Sequence, residues 1–298
     1  MTTQFTRARA LDLPATCLHI ETMIAAGVHG IVMLGSLGEN LTLEPAEKLQ
    51  VLRAAVATAR GRVPVVSGVI ETSTLAACRY AEGAARSGVA GLMVLPAMVY
   101  RADTRETLTH YRSVARATDL PVICYNNPLA YHVDITPTMF ADLADEPRFV
   151  AIKESSGDVR RITDLRLFLG DRYRLFCGVD DLLLEAVALG ADGWISGMNL
   201  AYPREGQLLW QLLTAGAKSQ ARALELYRWF TPLLHLDTAI KFVQYIKLVC
   251  AKRGLGAEYV RAPRLALAGD ERKAILRLVQ DAEKTRPRWL RAESSAAG

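Results

Sequence analysis

Phe149-Val150-Ala151-Ile152-Lys153-Glu154-Ser155-Ser156-Gly157 is an apolar run with a lysine close to its end, bounded by Pro147 before it and Gly157 after it. A short apolar run between such breakers reads as a buried strand. An ammonium stripped of water is costly, so a lysine there either reaches solvent along its flexible stem or gives up its proton. A neutral, oriented amine can attack a ketone and form a Schiff base. The run by itself leaves both readings of Lys153 open.

Similar runs lie on either side, at residues 30–34, 63–69, 90–95, 120–125, 173–177 and 193–196. They are rich in Val, Ile and Leu rather than alternating, as parallel strands covered on both faces are. Stretches with helical spacing separate them, at residues 72–87, 103–118, 137–143, 158–169 and 180–189. Glu44-Pro45 opens another, with proline at a first-turn position, and Asp158 is expected to cap the helix that follows the lysine strand. Strand then helix, repeated, gives a parallel sheet with right-handed crossovers.

A helical stretch at 13–26 precedes the first clear strand, and residues 2–5 before it are expected to be the stub of an eighth. Eight units make an α/β protein of the (β/α)8 TIM-barrel class. An open doubly wound sheet is the alternative, but the chain has no GxGxxG fingerprint. After Pro203 the strand signal stops, and residues 208–213, 221–234, 239–253 and 271–283 read as helices. The first completes the barrel; the others form a C-terminal three-helix extension. The expected division is a barrel over 1–218 with the extension, 219–298, packed on it and no linker between. The end of the chain after Trp289 reads as frayed.

The chain has 298 residues, 51% hydrophobic and 22% charged, enough for a large core and too apolar for global disorder. Its net charge of +5 is scattered. The densest basic stretches, Arg160-Arg161 and residues 286–291, lack interleaved aromatics, so no nucleic-acid partner is expected. A mild positive field suits a small anionic substrate. The five cysteines, Cys17, Cys78, Cys124, Cys177 and Cys250, are far apart with no CxxC pair, which fits reduced thiols in a cytoplasmic protein. His19, His29, His110, His132 and His235 show no metal-ligand spacing. The start, MTTQFTRARA, lacks a signal-peptide core and no run reaches transmembrane length, so no membrane partner is expected.

In such barrels the chemistry sits where strands end. Those positions are Gly35-Ser36-Leu37-Gly38-Glu39, Ser67-Gly68, Pro96, Tyr125-Asn126-Asn127-Pro128, Lys153-Glu154-Ser155, Gly178-Val179-Asp180-Asp181 and Ile195-Ser196-Gly197. Tyr125 and Lys153 fall at adjacent strand ends, one βα unit apart, which favours the catalytic reading of the lysine. A phenol beside an imine-forming amine can relay protons.

On these motifs the chain resembles the class I aldolase family of N-acetylneuraminate lyase and dihydrodipicolinate synthase. The matches are GSLGEN at 35–40, YNNP at 125–128, AIKESSGD at 151–158, GVDD at 178–181 and Val260-Arg261-Ala262-Pro263-Arg264, in order and spanning nearly the whole chain. The resemblance implies a (β/α)8 barrel with three added helices, a homotetramer, no metal and no organic cofactor. It implies that Lys153 is the Schiff-base lysine and Tyr125 the proton-relay tyrosine. Ser36, with the backbone N–H groups of Ser36 and Leu37, would hold a substrate carboxylate, and Ser36 would also hydrogen-bond Tyr125. Ser155, Gly178 and the carbonyl of Ile195 would line the bound 2-keto acid.

Four departures bear on the substrate. Leu37 stands where the family usually has a second hydroxyl residue. Ala130 stands where the synthases carry an arginine, so a second carboxylate loses its bidentate partner. Asp180 and Asp181 follow a lyase-like spacing and suggest a polyhydroxylated 2-keto acid, although Asp180 equally fits a helix cap. Tyr100 is offset from the tyrosine that the synthases borrow across a subunit interface. Family members also usually begin several residues earlier, so the first strand is expected to be short and the barrel poorly closed. The expected function is a Schiff-base-forming lyase, aldolase or dehydratase, acting on pyruvate or a hydroxylated 2-keto acid such as a 2-keto-3-deoxy sugar acid. The alternatives are a dihydrodipicolinate synthase proper and a non-catalytic keto-acid sensor on the same scaffold.

Overall fold

Each apolar run becomes a strand: β1 (Ile31–Met33), β2 (Val65–Val69), β3 (Gly91–Val94), β4 (Val122–Asn126), β5 (Phe149–Glu154), β6 (Arg174–Cys177) and β7 (Gly193–Trp194). The computed structural model describes residues 1–97 and 99–290, so the reading of the chain end beyond 290 lies outside the described residues. The strands pair in chain order and all in parallel, which makes a seven-stranded curled half-barrel. The register places Tyr125 directly opposite Lys153, and Lys153 opposite Phe176.

Helices α1 (Leu13–Ala25), α2 (Pro45–Ala59), α3 (Thr74–Arg86), α4 (Thr104–Arg116), α5 (Pro128–Tyr131), α6 (Pro137–Asp142), α7 (Arg160–Leu169) and α8 (Leu183–Ala188) fill the crossovers. Their starts follow local chemistry. Pro45 begins α2, with the Glu44 N–H bonded to Glu47 at 3.0 Å. Asp103 and Glu106 cap α4 reciprocally, at 2.8 and 3.0 Å. The expected Asp158 cap of α7 is corrected: the helix is entered at Val159 with no side-chain cap, and Asp158 instead closes the preceding turn, accepting from the Arg160 N–H at 3.1 Å. The short α5 was not foreseen; the YNNP segment reads as loop until Asn127 is seen to cap it, accepting from the Ala130 N–H at 3.0 Å.

Beyond β7, α9 (Pro203–Thr214) starts five residues ahead of the expected 208, because Pro203 sits favourably at its first turn. Helices α10 (Gln220–Leu234), α11 (Phe242–Lys252) and α12 (Gly269–Thr285) follow. Leu226, Phe230, Leu233, Leu234, Ile246, Val249, Ile275 and Val279 bury their apolar faces in the same core as the sheet.

The expected eighth strand is corrected. Residues 2–5 are buried but form no ladder with the sheet; Phe5 makes only an isolated antiparallel bridge with Leu11. Their backbone groups are taken by other partners. The Gln4 N–H donates to Thr16 Oγ1 at 3.1 Å, Gln4 O accepts from Asp12 N at 2.9 Å, and Thr3 O accepts from Lys247 Nζ at 2.9 Å. His19 Nε2 and Leu200 O, 2.9 Å apart, tie α1 to the turn after β7. Burial holds that imidazole neutral, its pKa pulled down to about 4.

Candidate active site

The loop after β1 is wound tightly. Leu34 and Glu39 both take left-handed backbone at φ 55°, and the turn presses so close to β2 that a Cβ on Gly68 would lie 2.3 Å from Leu34 O. Asn40 Nδ2 donates to Leu34 O at 2.9 Å. Glu39 is buried and held by Lys247 Nζ at 2.8 Å and the Arg261 N–H at 3.0 Å. Within this rigid loop the N–H groups of Gly38 and Glu39 bond back to Gly35 O and Ser36 O, at 3.0 and 3.1 Å. The N–H groups of Ser36 and Leu37 find no protein acceptor among the described residues. Adjacent free N–H groups on a fixed turn are suited to a carboxylate.

Facing this loop, Lys153 leaves the end of β5 half-buried, its Nζ 4.2 Å from the centroid of the Tyr125 ring. No carboxylate pairs with it among the described residues. Burial lowers its pKa, against the opposing charges of Asp237, Tyr131 and Asp180. Gly178, just past the end of β6, provides the room: a Cβ there would meet Ser155 Oγ at 2.1 Å and Lys153 Cε at 2.6 Å. Tyr125 is buried, which raises its pKa, while Asn127 and Ser155 beside its hydroxyl oppose the rise. Asn127 Nδ2 donates to the Tyr125 oxygen at 3.1 Å.

The expected Ser36–Tyr125 hydrogen bond is corrected: Ser36 Oγ is hydrogen-bonded to the hydroxyl of Tyr131. The turn of α5, closed by His132 at φ 59°, brings Tyr131 back over the mouth. It packs there against Ile70, Met93, Leu95 and Tyr125. The rings of Tyr125 and Tyr131 meet edge-on, 5.8 Å between centroids at 80°. Tyr100, by contrast, is exposed and donates to Glu106 at 2.6 Å.

The acidic pair after β6 is also corrected. Asp180 is fully buried and accepts from Trp194 Nε1, Ser196 Oγ and the N–H groups of Gly197 and Met198, at 2.7–3.1 Å. Four donors, three of them on Oδ2, commit its carboxylate to shaping the loop after β7. Burial pushes its pKa up to about 6, against those donors. Asp181 pairs with His235 Nδ1 at 2.6 Å. Ile195 is half-buried, its N–H held by Cys177 O at 3.0 Å. The structure therefore brings together Ser36, Leu37, Tyr125, Lys153, Ser155 and Gly178, and turns Asp180 and Asp181 to other work.

Asp237 escaped the sequence reading. It lies between α10 and α11, and its Oδ1 sits so close to Gly197 that a Cβ on that glycine would lie 2.1 Å away. Burial, with Asp180 nearby, holds its carboxyl well above the ordinary carboxylate range. Nothing local in the sequence marks it, because the extension carries it to the mouth from some forty residues beyond β7.

A half-buried, unpaired amine beside a buried phenol, at the C-terminal edge of a curled parallel sheet, is the apparatus of a class I aldolase. Residues 1–282 match the family model described as the dihydrodipicolinate synthetase family, and the chain belongs to that family. Among its relatives is the 4-hydroxy-tetrahydrodipicolinate synthase of Exiguobacterium sibiricum, 34% identical over 268 residues, 90% of this chain and 89% of the relative. A dihydrodipicolinate synthase of Bacillus anthracis superposes with a TM-score of 0.90 at 27% identity, covering 97% of both chains. The Acinetobacter baumannii dihydrodipicolinate synthase, solved complexed with pyruvate, gives 0.90 at 26% identity, covering 95% of this chain and 97% of that one. The chain is thus a Schiff-base-forming lyase of the class I aldolase type. No helix among the described residues is long and apolar enough to cross a membrane.

Proposed function

We propose that Lys153 forms an imine with the ketone of pyruvate or a hydroxylated 2-keto acid, and that Tyr125 handles the protons. The observation that carries this reading is the register pairing of the two residues with the amine 4.2 Å from the phenol ring. The amine attacks the carbonyl carbon, and the resulting carbinolamine loses water. The protonated imine is then an electron sink for C3. Either the C4 hydroxyl gives up its proton to become a carbonyl while the C3–C4 bond electrons pass to the imine nitrogen as an enamine (an aldolase), or a proton leaves C3 and the resulting enamine expels the C4 hydroxyl, which departs as water (a dehydratase). Ser36 and the free N–H groups of Ser36 and Leu37 hold the carboxylate; Ser155, Gly178 and the Ile195 carbonyl line the keto acid.

The case for a hydroxylated substrate rests on Asp237 rather than on Asp180 and Asp181. A carboxylate accepts hydrogen bonds from substrate hydroxyls, and Asp237 lies at the edge of the site with its pKa raised by burial and by Asp180 nearby. A second reading, dihydrodipicolinate synthase proper, is favoured by the names of the relatives. Ala130, exposed on α5, offers no guanidinium for the second carboxylate that this reaction presents.

Treating the protein with pyruvate and borohydride, followed by peptide mass spectrometry, tests the proposal. The expected result is a reduced adduct on the peptide bearing Lys153, absent from Lys153→Ala. An adduct that persists in that variant overturns the assignment, and no adduct at neutral pH favours a keto-acid sensor. Screening 2-keto-3-deoxy sugar acids for pyruvate release and for water loss then separates aldolase from dehydratase. The architecture proposed around this site is a (β/α)8-type barrel region over 1–218 and an extension over 219–298. We expect a cytoplasmic homotetramer, with no nucleic-acid or membrane partner and no metal or organic cofactor. Sedimentation as a stable monomer at micromolar concentration would contradict the tetramer.

A further inference from the structure

Tyr131 has no part in the reading above, yet it holds the centre of the mouth. Its hydroxyl is hydrogen-bonded to Ser36 Oγ, and its ring stands edge-on to Tyr125 with 5.8 Å between centroids. Asn127 links the same two tyrosines through one side chain. Its Oδ1 caps α5, whose last residue is Tyr131, and its Nδ2 donates to the Tyr125 oxygen at 3.1 Å. A turn that existed only to close the chain would not need a phenol at its last position, since His132, exposed just beyond, supplies the left-handed ending.

We propose that Tyr131 is a positioning and proton-relay residue for the imine chemistry, completing with Ser36 and Tyr125 a run of hydroxyls drawn from one chain. The inference rests on the Lys153–Tyr125 reading. As the carbinolamine collapses, its C–O bond breaks and the nitrogen lone pair forms the C=N bond. The departing oxygen takes the Tyr125 proton and leaves as water. The products are a protonated imine and a phenolate, so charge balances. Tyr131, hydrogen-bonded to Ser36, replaces the proton on Tyr125 and passes the deficit outward. When the C3 proton is later removed to give the enamine, it returns along the same hydroxyls. Tyr131 and Lys153 also sense each other's charge, as groups at one mouth must.

Tyr131→Phe keeps the ring against Ile70, Met93 and Leu95 and removes only the hydroxyl. The rate of single-turnover adduct formation with pyruvate, trapped by cyanoborohydride, is expected to fall by roughly 10²-fold or more, the usual worth of a placed proton-transfer group. Half-saturation by pyruvate should change little, and the pH–rate profile should move. Ser36→Ala should share the defect and Ser36→Thr, which keeps a hydroxyl, should restore most of the rate. Trapping by Tyr131→Phe at the wild-type rate with an unmoved pH profile overturns the proposal. Equal rates for Ser36→Ala and Ser36→Thr overturn it as well, even if Tyr131→Phe does not fold. A wild-type chain that traps nothing overturns the Lys153 reading itself, and this inference with it.

Discussion

Lys153 and Lys247 are both lysines drawn out of water, and burial lowers the pKa of each. Lys247, with none of its side chain exposed, donates to Glu39 at 2.8 Å and Thr3 O at 2.9 Å and lies 4.5 Å from the Phe5 ring centroid. Every direction in which its charge could be used is taken. Lys153 has a phenol face at 4.2 Å, a Gly178 that lets its side chain lie where a Cβ would clash, and no paired carboxylate among the described residues. One amine is kept charged to bind the N-terminal segment and the Glu39 loop to α11. The other is left cheap to deprotonate. Burial alone therefore does not distinguish a nucleophile from a fastener; the partners do.

The largest effects should separate the two. Lys153→Met is expected to abolish pyruvate trapping while leaving urea stability equal to or above that of the parent, because an apolar chain replaces an unpaired amine. Lys247→Met should do the reverse. It leaves the Glu39 carboxylate buried against a single backbone N–H and should cost about 3–5 kcal/mol in urea unfolding. The protein that remains folded should still form the adduct. Lys247→Met combined with Glu39→Gln should recover much of the loss. If Lys247→Met is as stable as the parent, the contrast drawn between the two sites fails.

A third test concerns sign. Only the neutral amine attacks, so trapping should rise with pH and level off once Lys153 is deprotonated. Burial places that midpoint below the 10.5 of an ordinary lysine. Asp237 works against burial by favouring the ammonium, so Asp237→Asn should move the midpoint to lower pH. A shift to higher pH would mean that Asp237 does not bear on the amine.

The same contrast shows what could be read from the chain and what could not. The first five strands were legible as short runs rich in apolar residues between breakers, β6 and the two-residue β7 (Gly193–Trp194) much more weakly so, and Lys153 because a charge interrupts one of those runs. Tyr125 followed from chain order alone, and its register opposite Lys153 agrees. Lys247 was not legible: inside α11 it looks like one more helix lysine, and its partner Glu39 lies 208 residues away. Asp180 was misjudged for a related reason. Its four donors come from residues 194–198, on the next βα unit, and no local pattern announces them. The N-terminal segment misled because burial and strand pairing usually coincide in such sheets; here residues 2–5 are buried on side-chain partners instead.

The smallest effect belongs to a third kind of pair. Asp181 and His235 meet at 2.6 Å with the imidazole side chain 60% exposed, and they join the loop after β6 to the segment that follows α10. Water reaches the imidazole side of this contact, so Asp181→Asn should cost no more than about 1 kcal/mol in urea unfolding. Its diagnostic value lies in catalysis. If Asp181 contacts a substrate hydroxyl, removing its charge raises KM for a hydroxylated 2-keto acid but leaves pyruvate trapping alone. If it only latches the extension to the barrel, both are unchanged, and His235→Asn has the same small cost. The structure favours the latch, since the carboxylate is engaged by His235 and the Asp181 carbonyl by the Tyr227 hydroxyl. A tenfold rise in KM for the hydroxylated substrate alone would return Asp181 to the binding site, and would mean that a carboxylate engaged by an imidazole can hide a recognition residue as readily as a buried amine can hide a nucleophile.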